Sequence, residues 1–424
     1  MFLHIDMDSF FISAERSRDH TLRGIPSAVG SRSDLSIFER ERKGFRLMDR
    51  NSGAFVAPLF HRDGLSRDFR DRFVDVTDAG EKTRGIITTA SYEARAMGVE
   101  TGMPIAHAMR LCPDLRVVPS DMLFYHEKSF AISSFLSTRL PKIQQYSIDE
   151  FFVDISGWVD DEDVESFSNE LQREIFERFH IPVSIGISEA KWIAKLATSF
   201  AKPYGIYRVE DIKNFIKDIP IKKFPGIGKG YARRLEKRGI YLLGEIEEYE
   251  RLFDSWGKYG KTLYLRILGR DGEGIEPGSS RKSIGISRTF DPIGEYGELR
   301  RRTMVMARHI SHIVMKLGLN PVRYTLYLKY EYGERRREKM RVDRLFSENL
   351  LKESMLHMLE RIYERGKRCV KLSLSVDEFI SIRPRTLSLL TLKNDMKLSS
   401  LSGTVALLRE RYGLDIVKTA NELA

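Results

Sequence analysis

The sequence predicts an α+β protein of several domains. Three observations carry that reading. The first two hundred residues alternate strand-like and helical runs in a β-α-β-β-α-β order. Residues 211–277 read as helical throughout. A polar, glycine-bearing stretch, GSSRKSIG (278–285), then precedes a second alternation of strands and helices over 286–380. A chain of 424 residues fits two to four domains at roughly 100–200 residues each.

The elements follow in order. Phe2–Met7 is apolar and then abruptly acidic, a strand leading to a helix from about Phe11 to Arg18. Gly24-Ile25-Pro26 is a turn before a short strand, Ser27–Gly30. Residues 31–83 are rich in Arg, Asp and Phe, with SRDFRDRF at 66–73, and read as loop with short helical pieces. Helical spacing resumes at Ser91–Met97 and at Ile105–Leu111, where Cys112-Pro113 stops it. Ile143–Ile148 and Phe151–Ile155 read as strands around Asp149-Glu150. A helix over Val164–Phe179, a buried strand Val183–Ile187 and a helix Lys191–Ala201, closed before Pro203, complete the first α+β part. Beyond the linker, strands Arg323–Tyr330 and Cys369–Val376 alternate with helices Arg301–Leu317 and Ser347–Arg365.

Charge points to the partner. The chain carries 70 Lys+Arg against 60 Asp+Glu, a net charge of +10 and a pI of about 9.3. Residues 281–380 hold 22 basic and 13 acidic residues, so one hundred residues carry nearly the whole excess. One basic module on a near-neutral body suggests a polyanion, with nucleic acid foremost; a merely solvated charged surface is the alternative. No run of apolar residues is long enough to span a membrane. Asp6 and Asp8 interrupt the N-terminus where a signal peptide needs basic and then apolar residues, so a cytoplasmic protein is expected. Cys112 and Cys369 are too few for a disulfide scaffold or a Cys-rich zinc site and read as small buried hydrophobes.

The chemistry concentrates in acidic residues set among apolar ones: Asp6 in HIDMDSFF, and Asp149 with Glu150 in YSIDEFFVDIS. A carboxylate in such a context is costly to bury without compensation. Mg²⁺ is a natural compensator, being held by one or two carboxylates plus substrate phosphates. Two such ions about 3.5–4 Å apart would serve phosphoryl transfer. In a regular strand Asp149 and Glu150 would face opposite ways, so both can serve one site only at a turn or strand end. Surface carboxylates at strand ends are the other reading. Asp8 reads as a helix N-cap turned inward.

In TTASYEARAMGVETGMP (88–104), Thr89, Tyr92 and Arg95 fall at three-residue steps, with Tyr92 and Arg95 on one helix face. A hydroxyl, a phenol and a guanidinium together suit a triphosphate, though taken alone an ordinary amphipathic helix explains them as well. Lys191 and Lys195 share a face, and Lys202 closes the same helix. In PGIGKGYARRLEKRGI (225–240), Gly226 and Gly228 enter a basic helix that begins near Lys229. That is the look of a helix-hairpin-helix, which grips a DNA backbone without reading sequence; a tight interhelical turn is the plainer alternative.

Taken together, HIDMDSFFISAE, PSAVG, TASYEARAMGVETGMP, YSIDEFFVDISG, GIS with its following lysines and KPYG, PGIG, and RKSIG before TF occur in the order found in one family. The sequence resembles the Y-family, or translesion, DNA polymerases, over about residues 1–30 and 84–380. The resemblance implies a right hand with palm (1–17 and 120–208), fingers (18–119, with an insertion at 31–83), helical thumb (209–277), linker (278–285), little finger (286–384) and a C-terminal tail (385–424). It implies a distributive, error-prone polymerase that adds dNTPs to a primer 3′-OH and passes damaged template bases. Asp6, Asp149 and Glu150, with the Met7 carbonyl, would hold two Mg²⁺ ions. Phe11 would be the steric gate against a ribose 2′-OH, and Phe10 would join it among the nucleotide contacts, although taken alone both phenylalanines read as core. Tyr92, Arg95, Lys202 and neighbouring Thr89 would meet the triphosphate. Gly226, Gly228, Lys229, Arg323 and Lys329 would contact primer-template DNA.

The sequence departs from that pattern in three places. The insertion at 31–83 replaces a short connection. Ala190 stands where the family often has Asn. RTLSLL (385–390) is similar to a peptide that binds the sliding clamp, but with Thr386 where Gln usually leads, and LLRERYGLDIV (407–417) looks like a short helix. The expected protein is a monomer that does not engage membranes. The alternative is a catalytically silent polymerase-like scaffold that binds DNA and recruits the clamp.

Overall fold

The structure is a computed structural model and describes residues 1–39, 45–47, 60–62, 66–77, 80–276, 278, 281–380 and 388–422. They form two compact units. Among the described residues, the first comprises 1–31 and 67–278; the second comprises 281 onward together with 32–39, 45–47, 60–62 and 66.

In the first unit β1 (Phe2–Met7) leads into α1 (Phe10–Arg18) and β2 (Ser27–Ser31). Then come β3 (Ile86–Ala90), α2 (Tyr92–Ala96), β4 (Arg116–Pro119) and the long α3 (Met122–Arg139). The chain continues through β5 (Ile143–Gln145), β6 (Glu150–Asp154), α4 (Val164–Phe179), β7 (Val183–Ser188), α5 (Lys191–Ala201) and β8 (Ile206–Arg208). The main sheet has the order β8-β7-β1-β6-β5, and a smaller sheet has the order β3-β2-β4.

Because β1 is central and antiparallel to both β6 and β7, its side chains are buried on both faces. Leu3, Ile5 and Met7 join Phe151, Val153 and Ile185 in one core, while Phe152 joins Trp192 and Ile193 in another under α5. Period-two alternation therefore sends His4 and Asp6 toward the α5 side. Gly186 of β7 lets α5 lie close: a Cβ there would meet the Ala194 carbonyl at 2.1 Å and the Thr198 nitrogen at 2.5 Å. Residues 212–267 carry helices, among them α6 (Lys229–Glu236).

In the second unit β9 (Ser283–Ile293), α7 (Tyr296–Lys316), β10 (Asn320–Tyr330), β11 (Arg335–Arg341), α8 (Glu348–Ile362) and β12 (Cys369–Ile380) are followed by α9 (Leu389–Tyr412). The antiparallel sheet has the order β9-β12-β10-β11. Tyr324, Leu326 and Leu328 turn toward α7 and α8 in its core.

Several elements differ from expectation. The strand expected over Ile143–Ile148 stops at Gln145. The insertion contains two strand pairs, Val74–Thr77 with Gly80–Thr83 and Phe45–Leu47 with Phe60–Arg62, as well as a helix at Phe69–Phe73. Residues 32–39, expected within the fingers insertion, pack instead in the C-terminal unit. The expected linker is shorter than 278–285, because β9 already begins at Ser283. The short helix expected at 407–417 is the end of the longer α9, which stops at Tyr412 with Gly413 at φ 96°. Among the described residues no helix is long and apolar enough to cross a membrane.

Candidate active site

Three carboxylates meet at one end of the main sheet. Asp6 lies directly opposite Glu150 in the β1–β6 register, so their side chains share a face. Asp149 sits one residue before β6, in the turn that shortens β5. Its carbonyl accepts from the Met7 amide at 2.9 Å, and its carboxylate from the Ser147 hydroxyl at 2.5 Å. The strand-end condition that both acidic residues needed is met.

Helix α5 supplies the cations. Lys195, Thr198 and Lys202 recur at helical spacing along the side that meets β1. Lys202 Nζ stands 2.6 Å from Asp6 Oδ1. Lys195 pairs with Glu150 and stands 3.4 Å from His4 Nε2, while His4 Nδ1 and the Thr198 hydroxyl are 2.8 Å apart. Burial pushes the Asp6 carboxyl up to about 7, against the pull of Lys202 and with the repulsion of Glu150 and Asp149. Burial raises Asp149 as well, against the Ser147 hydrogen bond. Burial followed by the two lysines pushes His4 far down, so it is neutral. Lys191 shares a helix face with Lys195, as expected, but its ammonium donates to Gln144 Oε1 at 2.7 Å and to the Gly274 carbonyl at 2.9 Å.

The donor set fits hard cations. It is oxygen-rich and sparsely solvated, and its like charges repel one another unless positive charge intervenes. Among the described residues no three acidic, thiol or imidazole groups yet stand in ligating geometry; lysine ammoniums occupy the carboxylates instead.

Phe11 and Tyr125 stack beside this site, with centroids 4.7 Å apart and planes 18° apart. The Tyr125 hydroxyl donates to the buried Glu15 at 2.6 Å, and Glu15 also accepts from Arg18 and from Arg67 of the insertion. Phe10, expected among the nucleotide contacts, is only 2% exposed and packs into the core. The first turn of α1 turns Phe10 inward and leaves only Phe11 half-buried.

Asp8 is not the N-cap. That position is Ser9, in left-handed backbone at φ 46°, without a side-chain cap. Asp8 is 1% exposed and accepts from the Ser184 hydroxyl (2.8 Å), the Tyr92 hydroxyl (3.1 Å) and the Tyr204 amide (2.7 Å). Arg95 is exposed; its Nε donates to the Ala90 carbonyl at 3.0 Å and its guanidinium lies 5.2 Å from the Tyr92 ring. Thr89 lies half-buried in β3 next to Ala90.

In the helical region Gly226 takes φ 103°, a conformation that favours glycine, and its carbonyl accepts from Tyr259 at 3.1 Å. Gly228 then caps α6, which begins at Lys229.

In the C-terminal unit Arg323 and Lys329 lie on the outer sheet face, but Arg323 is paired with Asp377 and Glu378. Lys329 lies between Arg335 and Lys371 in register. Sequence reasoning missed the edge strand. Arg335, Arg337, Lys339 and Arg341 alternate along β11 and are all exposed on one face. The period of two in ERRREKMR was the available signal.

Comparison with known proteins identifies the family. Residues 62–199 match the impB/mucB/samB family, 209–240 the IMS family HHH motif, and 281–389 the impB/mucB/samB family C-terminal domain. The chain belongs to the Y-family, or translesion, DNA polymerases. Its similarity to DNA polymerase IV runs nearly end to end. It is 31% identical over 394 residues to DNA polymerase IV of Shewanella woodyi, covering 88% of this chain and 92% of that one. It is 32% identical over 293 residues to that of Shewanella loihica, covering 68% of each. Among solved structures, a Y-family DNA polymerase chimera of Dbh and Dpo4 shares the fold at a TM-score of 0.69 and 23% identity, covering 90% of this chain and 99% of that one. DinB from Sulfolobus solfataricus does so at 0.52 and 22%, with the same coverage. The RTLSLL reading falls partly outside the described residues, which resume at Ser388.

Proposed function

We propose that this polymerase extends a primer 3′-OH with dNTPs, across intact and damaged template bases, with two Mg²⁺ ions held by Asp6, Asp149, Glu150 and the Met7 carbonyl. The observation that carries this reading is the meeting of three carboxylates and two lysines at one buried sheet end. When bound, the ions supply neutralising charge for the phosphates and make the primer hydroxyl easier to deprotonate.

The chain's own residues do the positioning. Lys202 lies where it can pass from Asp6 to a phosphate oxygen once cations relieve the carboxylate. Arg95 offers exposed bidentate donors to the triphosphate. Tyr92, with Thr89 nearby, borders the same space. Phe11, braced flat on Tyr125, presents a rigid aromatic wall to the sugar and favours a deoxyribose over a bulkier ribose.

Primer-template DNA would meet the amide-lined entry to α6 at Gly226, Gly228 and Lys229. It would also meet the basic face of the C-terminal sheet, where Arg335, Arg337 and Lys339 join Lys329. Arg323 contributes less there because two carboxylates already hold it. RTLSLL is assigned to a sliding clamp, an assignment supported by Leu390 at 97% exposure. The enzyme is taken to act as a monomer in the cytoplasm.

Primer extension with Mg²⁺ and all four dNTPs, on intact and abasic templates beside Asp149→Ala, tests the proposal. Extension past the lesion that the variant loses supports it. DNA binding without extension on either template would establish the silent scaffold. The cost of burying three carboxylates argues against that scaffold, which would have no use for them.

A further inference from the structure

The insertion was left without a role by the polymerase chemistry, and its first segment is built like a bound peptide. The Asp34 carboxylate accepts from the Ser36 amide (3.0 Å) and hydroxyl (2.5 Å), a local turn that presents the next two residues. Ile37 and Phe38 are 1% and 5% exposed and belong to the core of the C-terminal unit, beside Phe290 and Leu299. The Arg302 guanidinium lies over the Phe38 ring at 4.6 Å and over the Phe290 ring at 4.7 Å.

Polar contacts fix the register. The Thr289 amide donates to the Ser33 hydroxyl at 3.1 Å. Arg288 Nε donates to the Asp34 carbonyl at 2.8 Å, and Arg301 donates to the Phe38 carbonyl at 2.9 Å. These partners lie on β9, which among the described residues is an edge strand next to β12, and on α7.

We infer that residues 33–38 are an intramolecular docking peptide, and that the β9–α7 groove of the C-terminal unit is its receptor. Upstream, the peptide is continuous with β2 of the first unit through Ser31-Arg32. The C-terminal unit is thus held not by the covalent connection at residues 277–282 alone but also by the non-covalent docking of this peptide. The second attachment retains the basic sheet on the enzyme independently of the linker.

The test is to place a specific protease site at residues 278–280 of the full chain, cut it, and run size-exclusion chromatography. The cut wild-type chain is expected to elute as one species containing both fragments. Ile37→Asp/Phe38→Asp is expected to release the C-terminal fragment, weakening association on the order of a hundredfold or more, because charges would enter an apolar core. The uncut double variant should keep its primer-extension rate and a single cooperative, if lowered, melting transition, which separates undocking from misfolding. If that variant does not fold, excess synthetic peptide of residues 31–39 should release the fragment from the cut wild-type chain. Separation of the cut wild-type fragments would overturn the inference. So would continued co-elution after both the double substitution and peptide competition.

Discussion

The Tyr92 hydroxyl donates to Asp8 Oδ1 at 3.1 Å, which commits its single proton to a buried carboxylate. Asp8 also receives the Tyr204 amide, two residues beyond Lys202. One carboxylate therefore holds both Tyr92 and the turn after α5, the two sides from which triphosphate contacts are proposed. Tyr92→Phe removes one of these bonds and is expected to cost about 1 kcal/mol of stability and to raise KM for dNTP with kcat little changed. Asp8→Ala strands the Ser184 and Tyr204 donors and should cost about 2–4 kcal/mol. Steady-state kinetics with urea melts reads both; a KM unchanged in both variants would reject the positioning role.

Phe11→Ala removes the ring that stacks on Tyr125. The ratio of kcat/KM for dCTP over CTP is expected to fall by at least about tenfold, which corresponds to about 1.4 kcal/mol of discrimination. The Tyr125–Glu15 bond remains, so the melting temperature should move little. Unchanged selectivity would remove Phe11 from the sugar gate.

Asp6 connects activity to pH. Its carboxyl is raised to about 7 by burial first, against about 3.9 in an unfolded chain. Between those values the folded state binds more protons, so its contribution to stability falls as pH rises from about 4 to 7. At pH 8 Asp6→Asn should abolish extension yet leave the metal-free protein at least as stable as wild type. Mg²⁺ should raise the wild-type melting temperature more at pH 8 than at pH 6. Equal shifts at both values would contradict cation binding at Asp6.

His312 gives an acid-side prediction. Burial first, then Arg409 and Lys316, push it down to about 4, against the weaker pull of Glu410 and Glu348. In the unfolded chain the ring titrates at about 6.5. Its neutral form is therefore fully favourable above about 6.5, and that stability is lost as pH falls toward 4. His312→Gln should flatten this part of the stability profile, measured by urea melts at pH 5 and 7. An unchanged slope would exclude His312 as its source.

Much of this was legible because periodicity and breakers are local signals. Val164–Phe179 and Lys191–Ala201 appear where the spacing placed them. The carboxylates were legible because acids among apolar residues are chemically conspicuous. What escaped was non-local. Asp8 looked like a cap until Ser184 and Tyr204, far along the chain, came round to it. Phe10 and Phe11 are adjacent and alike, and only the pitch of α1 separates core from gate. The Val74–Thr77 strand had a period of two, but neighbouring charges masked it. Ile37-Phe38 is too short to announce a core that lies 250 residues away.

Helix α9 changes what the clamp assignment means. Asp395 is held by Arg344 at 2.5 Å, Arg409 is buried against Glu348, and Arg308 reaches Asp415 at 2.8 Å and Glu422 at 2.9 Å. Residues 395–422 are thus riveted to the C-terminal unit, and the last two residues of RTLSLL, Leu389 and Leu390, already open α9. A partner that seizes it must grasp a stretch whose described flanks, β12 and α9, are both held, not the free end of a rope. The fixed ends reduce the ordering entropy lost on capture. In exchange, the C-terminal unit that carries α9 restricts the direction from which a partner can approach.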